Sequence, residues 1–131
     1  MGLDMFAYRM ADFQPSTPTD FGLELRELRE HGIEAEELHY WRKHPDMHGL
    51  MEEIYREKGG KEETFNCVPV QLVQADLDRI RAQVQAKALP KTEGFFFGES
   101  DDTDYDTDMD FLRKAEASLK EGYTIWYDSW W

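Results

Sequence analysis

Between Glu99 and Asp110 the chain reads ESDDTDYDTDMD, seven acids and no base. Carboxylates at this density can hold a cation, cap a helix or face a basic partner. A calcium loop of the EF-hand type needs acids at its first, third and fifth positions, glycine at the sixth and glutamate at the twelfth. Counted from Asp102, the last two positions fall on Thr107 and Arg113; counted from Asp104, they fall on Met109 and Ala115. The run is therefore not an EF-hand. Asp106, Thr107 and Asp108 stand where a last helix is expected to begin. Acids there bind free backbone N–H groups and complement the positive end of the helix dipole. Glu99, Asp101, Asp102 and Asp104 lie outside that role. With Asp106 they form the expected partner-binding set, because spaced carboxylates can stand in for the phosphates of a nucleic acid in a basic channel.

A second constellation runs from Tyr40 to His48 as YWRKHPDMH. His44 and His48 are four apart and Glu52 is four further on, the spacing of helical zinc ligands. The HExxH pattern and any cysteine pair are absent, so neither a metal nor another cofactor is expected. Arg42, Lys43 and His48 can instead receive a nucleotide or other anion, with Trp41 as a stacking face. The glycine-bracketed Phe95, Phe96 and Phe97 would wall that pocket, together with Tyr105. The plainer reading makes Trp41 and the phenylalanines core. There is no phosphate-binding glycine loop and no GxSxG, so a non-enzymatic protein is expected.

Residues 3–9 alternate weakly and predict an N-terminal strand. Asp20 is placed to cap a short helix bearing Phe21, Leu25 and Leu28, ending near Gly32. Residues 35–43 read as a helix with Leu38 and Trp41 on one face. Pro45 then either kinks a long helix or opens a second one, along which Met47, Leu50, Met51, Ile54 and Tyr55 recur. Phe65 to Val70 reads as a strand holding Cys67, with Pro69 at an edge or bulge. Another amphipathic helix covers about Ala75 to Ala88. Phe95 to Phe97 is a short strand or an aromatic loop. Phe111, Leu112, Ala115 and Leu119 mark the last helix, and Tyr123 to Tyr127 a final strand. This order predicts a single α+β domain over 1–131, with a small, mostly antiparallel sheet and about four to five helices packed against it.

The length of 131 residues suits one domain with a real core. The formal net charge is −13. That field disfavours nucleic acid and anionic lipid as direct partners and favours a basic protein surface. Cys67 is the only cysteine, so no internal disulfide is expected. No apolar run approaches a signal peptide or a membrane span, which predicts the cytoplasm.

Several pieces together carry a resemblance. They are Met1-Gly2-Leu3-Asp4-Met5, Tyr40-Trp41-Arg42-Lys43 with His48, Leu89-Pro90, Gly94 to Gly98, Asp104-Tyr105-Asp106 with Asp110, and Tyr127-Asp128-Ser129-Trp130. In these the chain resembles an uncharacterised family of small phage and prophage proteins. His44-Pro45 departs from the unbroken helix of those relatives, which weakens any metal role for His44. The resemblance implies a setting in phage or mobile-element biology, in the cytoplasm of a bacterial host cell. Three function classes follow. One is an inhibitor of a basic, nucleic-acid-handling host protein, of the anti-defence or anti-CRISPR kind. The second is a binder of a nucleotide or other anion. The third is a small metal-dependent hydrolase using His44, His48 and Glu52.

Overall fold

The computed structural model describes every residue except Met1, Asp12, Leu23, Glu24, Phe95, Phe96, Asp102 and Thr103, and the side chains of Leu25 and Arg26. In chain order the elements are β1 (Asp4–Met10), α1 (Leu25–Glu30), β2 (Ala35–Arg42), α2 (Pro45–Glu57), β3 (Val70–Leu72), α3 (Gln74–Gln85), α4 (Asp104–Lys120) and β4 (Thr124–Trp130). The four strands form one antiparallel sheet in the order β2-β1-β4-β3. Among the described residues the domain is α+β, with four helices against the sheet.

Strand alternation assigns side chains to the two faces. Met5 and Ala7 of β1 and Ile125 and Tyr127 of β4 face the main core. There they meet Leu50, Met51 and Ile54 of α2, Leu77 and Ile80 of α3, and Phe111, Leu112 and Ala115 of α4. On the opposite face Met10 and Trp126 pack with Leu28 of α1, flanked by Phe13 and Phe21. Both faces are thus covered, which explains why the central strand β4 is apolar on both sides.

Residues 35–42 are a strand, not the expected helix. Between Ala7 and Tyr8 the pairing with β2 slips from His39 to Glu37, so Leu38 is the extra residue of a β-bulge. The bulge brings Leu38 and Trp41 to the same core. Their three-residue spacing imitates a helical face. Pro45 does open α2, at its first turn.

Three other expectations change. Asp20 does not cap α1: it has φ of 53°, and its carboxylate accepts from Tyr55 Oη at 2.7 Å and from the Lys61 amide at 2.8 Å. The strand expected over Phe65 to Val70 does not form there; the edge strand is Val70–Leu72, which shares only Val70 with it. Pro69, with no N–H to give, stands just before it, and Cys67 has φ of 58°. The last helix starts at Asp104, earlier than expected, so Asp108 lies a full turn inside it.

Gly49 of α2 packs directly on Thr92: an added Cβ would lie 2.9 Å from Thr92 Cβ and against its Oγ1. Rotating the threonine does not relieve this, because its Cγ2 is also 3.1 Å away. Gly49→Ala is expected to destabilise the fold by about 1–3 kcal/mol through overpacking, read by urea denaturation.

Candidate functional site

The site begins with a turn. Lys43, between β2 and α2, takes a left-handed φ of 54° and donates its N–H to Leu3 O at 2.9 Å. This turn places His44 at the head of α2, where it is only 2% exposed. Gly98 lies over the same turn, with room for only a light Cβ: one built there would be 3.0 Å from Lys43 Cβ. Its φ of 75° also favours glycine. The close crossing delivers Ser100 to the N-terminus of α2. Ser100 Oγ accepts the Asp46 N–H at 3.1 Å, so a residue distant in sequence caps the helix that His44 leaves without a side-chain cap.

Asp108 completes the group from α4. It heads the buried stripe that continues through Phe111, Leu112, Ala115 and Ser118. It is 1% exposed. An uncompensated carboxylate at that depth would cost several kcal/mol. Here each oxygen has a donor: Trp41 Nε1–H reaches Oδ1 at 3.0 Å, and His44 Nε2 lies 2.9 Å from Oδ2. An ionised Asp108 accepts from Nε2–H, which leaves the Nδ1 lone pair of His44 toward Ser100 Oγ at 2.6 Å. Asp104 Oδ2 is 3.5 Å from the same Nδ1 and accepts the Asp101 N–H at 2.8 Å.

Beside this chain of contacts is a cavity of about 520 Å³, within the range that holds small ligands. His44, Ser100, Asp46, Asp101, Asp104, Tyr105, Asp106 and Asp108 line one part of it, and Val84, Lys87 and Leu89 the other. Apart from His44, Lys87 is its single basic lining residue among the described residues.

Of the expected partner-binding residues, Glu99, Asp101 and Asp106 are exposed and Asp104 is half-buried; Asp102 lies outside the described residues. The second expected set is not brought to one place. Trp41 is buried against Phe111, while Arg42 is exposed and pairs with Asp4 at 2.8 Å. Lys43 is exposed on the turn. Tyr105 lines the acidic cavity, and Phe97 and His48 meet inside the core with ring centroids 5.3 Å apart. Phe95 and Phe96 lie outside the described residues. His48 Nδ1 is 2.6 Å from Tyr127 Oη, whereas Glu52 pairs with Arg56 at 3.2 Å, so His44, His48 and Glu52 do not converge. Among the described residues no group of three or more His, Cys, Asp or Glu side chains could hold a metal ion.

Asp108, Ser100 and His44 form a site that the spacing of the chain does not advertise. A signal for Asp108 was present: it stands three and four residues before Phe111 and Leu112, on their side of the helix. Ser100 had no such signal, because only the loop crossing at Gly98 brings it to His44.

Two predictions follow from this burial. Asp108→Ala orphans the Trp41 N–H and frees His44, and should cost about 3–5 kcal/mol of unfolding free energy in urea. Burial holds His48 down to about 4. Its folded value is below that of the unfolded chain, so the unfolded state takes up a proton first and stability falls with pH below about 6.5. Between pH 6.5 and 5 this one group should cost about 1.5 kcal/mol. His39, also pushed down to about 4 by burial and then by Lys114, acts in the same direction. The slope should be shallower in His48→Gln when stability is followed against pH.

Comparison with protein-family models, with curated proteins and with solved structures finds no match to this chain.

Proposed function

We propose that this chain is an acidic binding protein that docks on the basic, nucleic-acid-handling surface of a host protein, in the manner of an anti-defence inhibitor. The observation that carries this reading is the mouth of the cavity. Exposed Asp101 and Asp106 line it together with Asp46 and Asp104, and exposed Glu99 directly precedes the lining residue Ser100 in the chain. Lysine or arginine side chains of a partner would enter a field in which carboxylates outnumber the one lysine, Lys87, within a chain of net charge −13. Asp108 does not belong to that surface, since His44 and Trp41 hold it inside. The resemblance to phage proteins supports a host target. A lone cysteine and the absence, among the described residues, of a helix long and apolar enough to cross a membrane accord with a cytoplasmic one.

A second reading, a small-ligand binder, draws support from the cavity volume of about 520 Å³. Its lining suits a cationic ligand better than the nucleotide or anion suggested by Arg42 and Lys43.

The test is capture of host proteins on tagged protein, followed by competition with duplex and single-stranded DNA. The retained protein should be basic, should leave at high salt and should be displaced by nucleic acid. The triple change Glu99→Lys, Asp101→Lys, Asp106→Lys should abolish capture while keeping the fold. Capture by the triple variant equal to that of the parent, or capture indifferent to salt and nucleic acid, contradicts the reading.

A further inference from the structure

We propose that Ser100 is an activated nucleophile, with His44 as its general base and Asp108 as the group that orients His44, and that the adjoining cavity admits an acyl ester or amide bearing a positive charge. The inference goes beyond docking and does not rest on it.

Three observations carry it. The side chains are in series, Ser100 Oγ to His44 Nδ1 at 2.6 Å and His44 Nε2 to Asp108 Oδ2 at 2.9 Å. That is the connectivity by which an imidazole takes a proton from a hydroxyl while a carboxylate fixes its tautomer. The ring is used in the sense Nδ1 to serine and Nε2 to aspartate, and either nitrogen can serve as the base. Second, His44 and Asp108 are 2% and 1% exposed, whereas Ser100 is half-buried on the cavity wall. Proton transfer is shielded while the nucleophile is reachable. Third, the groups around the pair suit the charges that develop. The Asp46 N–H, 3.1 Å from Oγ in the first turn of α2, favours negative charge on the serine oxygen. Asp104 Oδ2, 3.5 Å from Nδ1, would hold the imidazolium formed when the proton arrives. The carboxylates of Asp46, Asp101 and Asp106 select a cationic substrate.

The step balances without an outside oxidant or reductant. Ser100 Oγ bonds to the acyl carbon as its proton passes to His44 Nδ1. The bond from that carbon to the leaving oxygen or nitrogen breaks, and the leaving group takes the proton from His44. Water then attacks the acyl-serine, giving one proton to His44. The carboxylic acid departs and Ser100 regains its hydrogen.

An alkyl fluorophosphonate tests this on the intact chain. The P–O bond to Ser100 forms as fluoride leaves, and peptide mapping by mass spectrometry locates the adduct. The expected result is one adduct, on Ser100, absent in Ser100→Ala. In His44→Gln labelling should be at least about 100-fold slower, the usual contribution of a positioned base. Hydrolysis of p-nitrophenyl acetate serves as a second readout with a smaller acyl group. No adduct together with no ester hydrolysis above the Ser100→Ala level overturns the proposal, and Ser100 is then a helix cap only. Labelling of folded His44→Gln at the parental rate also overturns it. Should His44→Gln not fold, labelling of folded Asp108→Asn at the parental rate overturns it.

Discussion

A single buried carboxylate ties the two ends of the functional region together. Asp108 takes hydrogen bonds from β2 through Trp41 and from the head of α2 through His44, on separate oxygens. Without both donors a charge at that depth is untenable. With them, the turn at Lys43, the first turn of α2 and the N-terminal half of α4 share one electrostatic anchor. The loop that crosses at Gly98 then adds Ser100 to the same group.

The arrangement separates two populations of acid within one run. Asp108 is consumed by the interior, and Asp104 is partly engaged with the loop amide of Asp101. Asp110 pairs with Arg113 and Lys114 on the helix surface. Glu99, Asp101 and Asp106 are exposed. The density of charge in the sequence therefore overstates the acidic surface, and it hides the one member whose role is internal.

Much of the fold was legible because periodicity followed burial. Helices α2, α3 and α4 repeat their buried residues at helical spacing, β1 alternates from Asp4 to Ala7, and β4 reads as a nearly continuous buried run because both its faces are covered. The strand β2 was misread for a physical reason. The bulge at Leu38 breaks the alternation of His39, Tyr40, Trp41 and Arg42 just where a three-residue spacing imitates a helix. The site was less legible than the fold. Asp108 carried a positional signal at the head of an apolar stripe, yet an acid near a helix start reads first as a cap. The contact between Ser100 and His44 spans 56 residues and depends on a left-handed turn at Lys43 and a close crossing at Gly98. No local pattern encodes such a crossing.

The central claim is that Asp108 fixes His44 with its proton on Nε2 and its Nδ1 lone pair toward Ser100. Long-range nitrogen–proton correlation NMR of the imidazole ring reads this directly. Neutral His44 should show a protonated Nε2 and an unprotonated Nδ1. A neutral ring with its proton on Nδ1 would contradict it, since Ser100 could then only accept and Asp108 would no longer be the oxygen that orients the ring.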